Sequence, residues 1–238
     1  MKVDILAFAA HPDDVEISCS GTLIKHIEAG HKVGIIDITR GELGTRGTAE
    51  IRAKEAAAAS AMMGISIREN LELEDGFFEV SAENKLKVVQ QIRKFKPTIV
   101  LANAIADRHP DHGRGSQLVS DACFLSGLTK VQTFFDGVEQ EAWRPRVVYH
   151  YIQDRYMKPD FIVDISSVME KRMNALLSYS SQFYNPNSTE PVTAISTTQF
   201  LDNLRGRAID FGRIIGVDYG EGFIAERVPG VQSLFDIY

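Results

Sequence analysis

Two short stretches hold most of the side chains able to do chemistry. The first is Ala10-His11-Pro12-Asp13-Asp14-Val15-Glu16, and the second is Asp107-Arg108-His109-Pro110-Asp111-His112. Each combines imidazole with carboxylate, a donor set suited to divalent transition metals. Adjacent side chains in a turning segment point apart, so Asp13 and Asp14 cannot share one task; one can ligate while the other faces a bound water. In the second stretch Asp111 lies between His109 and His112. A carboxylate so near can accept from an imidazole N–H, fixing its tautomer and raising its basicity. Together the stretches supply a His/Asp/His zinc site with an open fourth position, the arrangement of a hydrolytic rather than a structural zinc.

Such a site needs a scaffold that brings residues a hundred positions apart to one place. Val3 to Ala9, Lys32 to Thr39, Asn70 to Leu73 and Thr98 to Ala102 read as buried strands. Helical patterns alternate with them: Gly21 to Ala29, a helix capped by Thr48 and running to Met63, and one capped by Ser81 and running to Phe95. Gly115 to Leu125, Val168 to Tyr179 and Thr198 to Ile215 predict later helices, and Val147 to Ile152 and Phe161 to Ile165 later strands. Asn185 to Thr193 reads as a surface loop; the pattern is weakest from Ser126 to Arg146 and after Gly216. The β-α-β alternation predicts a Rossmann-like α/β fold: a mostly parallel sheet with helices on both faces, three layers in all, as a single domain over residues 1–238. Both chemical stretches directly follow a strand, and in such sheets ligands sit beyond the carboxyl ends of the strands.

Bulk composition agrees. Apolar residues make up 44% and charged residues 24% of the chain, as in ordinary globular proteins rather than disordered ones. A net charge of −6 advertises no nucleic-acid or anionic-lipid surface. Two cysteines, Cys19 and Cys123, cannot build a disulfide framework or a four-thiolate zinc site. No apolar run approaches the ~18 residues of a membrane span, and the start MKVDILAFAAHPDD has no cleavage-like segment. The expectation is a cytoplasmic enzyme without nucleic-acid or membrane partners, forming a homo-oligomer.

AHPDDVE after the first strand and HPDH after a later one resemble the PIG-L/LmbE-like family of zinc deacetylases, and TRGELGTRGTAEIRAKEA (Thr39 to Ala56) extends the resemblance. TRGTAEIRAKE and KPDFIVDIS (Lys158 to Ser166) look closest to the branch of bacillithiol biosynthesis, which removes acetate from N-acetylglucosaminyl malate. The resemblance implies that His11, Asp14 and His112 bind one Zn²⁺, although Fe²⁺ suits the same ligands. It implies Asp13 as general base, and a protonated His109, oriented by Asp111, as oxyanion stabiliser or acid. Arg52 is expected to meet the sugar or its anionic aglycone, for which a guanidinium is suited; Ser18, Glu42 and Asp75 are expected to line the same pocket. Gly41, Gly44 and Gly47 would let a loop close over a sugar.

Each assignment has a plainer rival. The metal ligands could be loop hydrogen bonders, Asp13 a helix N-cap, His109 and Asp111 a structural pair, and Arg52 an exposed helix residue. His26 and His31 get no role. His150 reads better as a satisfied core histidine, and Cys19 as a small buried hydrophobe; Tyr184 and Tyr219 are left undecided. Sister activities are deacetylation of an inositol conjugate or chitooligosaccharide, or amide cleavage of thiol conjugates. A nucleotide-binding module lacks a glycine-rich phosphate loop after the first strand. A metal-binding protein without catalysis would leave Asp13 and the His109/Asp111 pair without a purpose.

Overall fold

β1 (Ile5–Ala9) and β2 (Val33–Thr39) are buried at every residue, as strands covered on both faces must be. Along β1 the side chains alternate: Ile5, Ala7 and Ala9 enter one core, and Leu6 and Phe8 the other. The computed structural model describes residues 1–236. Its main sheet has seven strands in the order β3-β2-β1-β4-β7-β9-β8, adding β3 (Ile67–Leu73), β4 (Ile99–Ala102), β7 (Val147–Tyr151), β8 (Phe161–Asp164) and β9 (Gly220–Ala225). Neighbours pair in parallel from β3 to β7, while β9 runs antiparallel to both β7 and β8.

One core unites α2 (Ser20–Glu28), α3 (Ala49–Met63) and α6 (Met169–Leu176) with the sheet. The other unites α4 (Ala82–Phe95) and α5 (Pro110–Ser126) with the opposite face. The result is the three-layer α/β arrangement that the alternation predicts. Capping explains the helix limits. Thr48 and Ser81 each accept a backbone N–H at the start of α3 and α4, and Gly64, at φ 85°, ends α3.

Three features depart from the sequence-based expectations. β3 begins at Ile67, three residues before the predicted Asn70. α5 begins at Pro110 rather than Gly115, because His109 caps it and proline suits the first helical position. That shift puts His112 in the first turn of a helix instead of a loop. Finally, a short β5–β6 hairpin (Phe134–Phe135, Val138–Glu139) and β9 occupy the weakly patterned stretches. β9 is hidden by its glycines; a Cβ on Gly222 would lie 3.0 Å from the Phe211 ring of α7 (Thr198–Ile215).

Strand order turns about β1, which lies between β2 and β4, so their following loops flank a crevice of the kind that binds ligands in open sheets. The Ala10 N–H donates to Asn103 Oδ1 at 2.9 Å, tying the two loops at their roots. No helix among the described residues is long and apolar enough to cross a membrane.

Candidate metal centre and active site

The β1 loop turns sharply at Asp13, whose φ of 127° is outside the usual range for a residue with a Cβ. Asp13 precedes α1 (Asp14–Ser18) but makes no side-chain cap. Its carboxylate instead takes a 2.5 Å hydrogen bond from Arg52 Nη2, and both side chains are buried. Backbone strain of this sort costs about 1–3 kcal/mol and collects at functional sites.

Asp14 points the other way. Its Oδ2 accepts from the His11 backbone N–H at 2.9 Å and from Asn103 Nδ2 at 3.0 Å. Its Oδ1 accepts from Gln153 Nε2 at 3.0 Å and lies 3.1 Å from His112 Nε2. His11 Nδ1 is 3.6 Å from Asp14 Oδ2. Each of these imidazoles spends its other nitrogen on carboxylates. His112 Nδ1 pairs with Asp107 Oδ2 at 2.5 Å; His11 Nε2 pairs with Asp75 Oδ1 at 3.1 Å and Asp111 Oδ2 at 3.3 Å. Metal-binding histidines are held in this way, with the far nitrogen on a carboxylate and the near one free for the ion. The remaining donors are two imidazole nitrogens and a carboxylate, which fit a divalent transition metal. His109 is close by: His11, His109 and His112 each offer a ring nitrogen within 4.8 Å of the others.

The ionisation pattern follows. Burial opposes charge on His112, but Asp14 and the Asp107 hydrogen bond outweigh it and raise its pKa to about 9. Burial likewise opposes charge on His11, but hydrogen bonds to Asp111, Asp14 and Asp75 hold its pKa well above the ordinary value. Burial pushes Asp13 up to about 6 against the pull of Arg52. Burial and the neighbouring imidazoles His11 and His112 lower the pKa of His109.

Around these groups lies a cavity of about 300 Å³, lined by His11, Asp13, Arg52, Asp75, His109 and His112 and roofed by Leu43 to Arg46. Gly41, at φ 66°, lets the roof turn over Arg52: a Cβ there would come within 2.3 Å of Arg52 Nη1. Glu16, the last acidic residue of the first motif, is fully buried against Arg68 and is structural.

Several expected roles need correction. Asp111 does not orient His109 through its carboxylate, which faces His11, the Gly76 N–H and Arg114. Its backbone N–H donates to His109 Nδ1 at 3.2 Å, as the first turn of α5 dictates. Nδ1 accepts the Asp111 N–H, and burial together with the neighbouring imidazoles lowers the pKa of the ring, so the arrangement favours a neutral His109 with Nε2 turned to donate over the expected imidazolium. Arg52 lines the cavity, but its guanidinium is engaged by Asp13, the Pro12 carbonyl at 2.8 Å and the Gly41 carbonyl at 3.4 Å. Asp75 does line the cavity, where its carboxylate also supports His11 and accepts the Leu43 N–H. Glu42 lies outside the cavity lining and braces the roof by accepting the N–H groups of Asp75 and Arg40. Ser18 is at the far end of α1, beside Ile152 and Arg172, because the helix carries it away from the motif.

His150 is buried with both ring nitrogens engaged, by Ser116, the Asn103 carbonyl and Glu226. Cys19 is buried and free. Sequence reasoning missed Asp107, Asn103 and Gln153. Asp107 opens the second chemical stretch, five residues before His112, a separation the capped turn closes. Asn103 and Gln153 follow the ends of β4 and β7, where position at the ligand-bearing edge was the available signal.

The PIG-L family, described as GlcNAc-PI de-N-acetylase, matches over residues 6–123. The chain is 28% identical over 239 residues to diacetylchitobiose deacetylase of Thermococcus kodakarensis, covering 95% of this chain and 84% of that protein. The conserved protein TT1542 from Thermus thermophilus superimposes with a TM-score of 0.85 at 35% identity, covering 98% of each chain. The N,N'-diacetylchitobiose deacetylase of Pyrococcus horikoshii does so with a TM-score of 0.78 at 27% identity, covering 93% of this chain and 83% of that one.

Proposed function

We propose that this chain is a de-N-acetylase of the PIG-L kind, whose family model matches residues 6–123, and that it removes the N-acetyl group of an N-acetylglucosaminyl conjugate, with Zn²⁺ held by His11, Asp14 and His112. One observation carries the catalytic reading. Asp13 is buried, strained and uncapped beside the ligand set, yet ligation does not need it. When bound, a divalent metal lowers the pKa of a water ligand from about 15.7 to about 7 and polarises a carbonyl. Asp13, ionised above about 6, accepts the proton of the attacking water, and Arg52 holds the carboxylate in place. His109 donates its Nε2–H to the amide oxygen as negative charge builds there. The proton on Asp13 then serves the leaving amine.

The aglycone we favour is malate. Arg46, Arg52 and Arg108 all line the cavity and each is paired with a carboxylate, Glu190, Asp13 and Asp154, but only Arg108 has half its side chain exposed and so presents its guanidinium to a ligand. It suits a carboxylate of the malyl group. A second reading, a neutral chitooligosaccharide, is favoured by the names of the two chitobiose deacetylases. Zinc-loaded protein offered N-acetylglucosaminyl malate, diacetylchitobiose and the inositol conjugate, with free amine measured, separates them. The malate conjugate should give the highest kcat/KM. Faster cleavage of diacetylchitobiose would transfer the site to the second reading, and no amine from any of the three would overturn both.

The ligand assignment has a pH signature. The folded pKa of His112 is raised to about 9, so its charge stabilises the metal-free fold below the unfolded value near 6.5. That contribution is lost as pH rises through about 9. Zinc takes the neutral ring, so loading at pH 7 should release a proton from His112, and zinc affinity should climb between about pH 6.5 and 9. Calorimetry in buffers of different ionisation enthalpy reads the release; a pH-independent affinity with no proton release would exclude His112 as a ligand.

A further inference from the structure

Two buried amides, Asn103 and Gln153, close a network around Asp14. Asn103 directly follows β4, Gln153 lies just beyond β7 and Asp14 follows β1, so the ends of three neighbouring strands meet there. The two amide residues are 0% and 2% exposed. Backbone N–H groups can only donate, and they fix which end of each amide is oxygen: Ala10 donates to Asn103 Oδ1 at 2.9 Å, and Ala104 to Gln153 Oε1 at 3.1 Å. Each NH2 group is thereby turned toward Asp14, and rotating either amide would set its NH2 against a backbone N–H. Asn103 Nδ2 donates to Asp14 Oδ2 and to Gln153 Oε1, both at 3.0 Å. Gln153 Nε2 donates to Asp14 Oδ1 at 3.0 Å and lies 3.4 Å from His112 Nε2.

A carboxylate offers about four lone-pair positions, two on each oxygen. Asp14 Oδ2 fills both of its own, with the His11 N–H and with Asn103. Oδ1 fills one with Gln153, and the other faces His112 Nε2, 3.1 Å away. We propose that Asn103 and Gln153 are positioning residues of the metal centre, which turn Asp14 so that its Oδ1 and His112 Nε2 present themselves to one ion. The proposal rests on the ligand assignment above. The residue types suit the task. Arginine or lysine in either place would also donate to Asp14, but its charge would oppose that of the incoming cation. A neutral amide donates and leaves the negative charge of the site intact.

Zinc affinity, measured by competition with a chelator while thermal unfolding verifies that each variant is folded, tests the role. Asn103→Leu and Gln153→Met keep the bulk of the side chain but lack the donor, and each should weaken zinc binding about 10–100-fold, the usual effect of losing a hydrogen-bond partner behind a metal ligand. Thr133→Val is the comparator. It deletes the buried 2.9 Å hydrogen bond that Thr133 Oγ1 accepts from Arg93, near the end of α4, and touches no proposed ligand. It should lower the unfolding temperature, yet leave zinc affinity within about threefold of the parent, as a distant and independent site does. Parent-like zinc affinity in both amide variants, or equal losses in all three, would overturn the proposal. Asp14→Ala separates it from the reading beneath it and should itself weaken zinc. Zinc affinity unchanged in Asp14→Ala would overturn the ligand assignment and the proposal with it, whereas a loss there with none in either amide variant would keep the ligand and sink the positioning role alone.

Discussion

Asp13→Asn is expected to lower kcat by about 10²–10⁴ while zinc remains bound, the range typical of a positioned acid–base group. Asparagine keeps the shape and, of the residues with a Cβ, is among the most tolerant of positive φ, which matters at a position held at φ 127°. Alanine would confound chemistry with refolding of the turn. The substitution also removes the negative charge paired with Arg52, leaving the guanidinium only neutral acceptors, the amide oxygen of the new side chain and the Pro12 and Gly41 carbonyls. Removing one partner of a buried pair costs about 3–5 kcal/mol, so unfolding should shift to lower temperature as well. Two readouts separate the effects. Arg52→Met breaks the same pair and should lower stability comparably, but it leaves a carboxylate at residue 13 and so retains more turnover. The pH profile gives the third check: in the parent, kcat/KM falls as Asp13 is protonated near or below about pH 6, and Asp13→Asn should lack that acidic limb. Parent-like turnover in Asp13→Asn would remove the base from the account.

His112→Ala is expected to lose both the metal and the activity. It deletes one of three proposed ligands and leaves Asp107 and Asp14, both buried, without their imidazole. A graded companion is Asp107→Asn. The carboxylate that pairs with His112 Nδ1 fixes the tautomer presenting Nε2 to the ion, and loss of such a partner typically weakens metal binding by about 10–100-fold. Metal content after dialysis against a chelator should therefore rank parent above Asp107→Asn above His112→Ala, with activity restored to Asp107→Asn, but not to His112→Ala, at high zinc. His112→Ala retaining stoichiometric metal would show that the ion sits elsewhere.

The division between what could and could not be read from the chain has physical causes. The strands bearing the two motifs were legible because continuous burial leaves runs such as Ile5–Ala9 and Ile99–Ala102 uniformly apolar, and the caps at Thr48 and Ser81 marked their helices. β9 was not: Gly220 and Gly222 look like turn residues, yet they are there because α7 presses on the sheet, a tertiary cause. The start of α5 was missed because Gly113 and Gly115 disguise a helix whose beginning is set by His109 and Pro110. Within the site, residue types announced metal chemistry, but not which atom meets which. Asp111 and Asp75 were assigned to His109 and to substrate, and both face His11, since a carboxylate's partner depends on side-chain direction. Arg52 was expected to meet substrate and instead secures Asp13, a contact spanning 39 positions that no local pattern encodes.

X-ray absorption at the zinc edge of the loaded, substrate-free protein bears most directly on the central claim. The account predicts two imidazole nitrogens and carboxylate oxygen from the protein, with solvent oxygen completing the shell at distances of about 2.0–2.2 Å, and two imidazoles again in the His109→Ala variant. Three imidazoles in the parent falling to two in that variant, or a shell filled entirely by protein atoms, would contradict an open catalytic centre built on His11, Asp14 and His112.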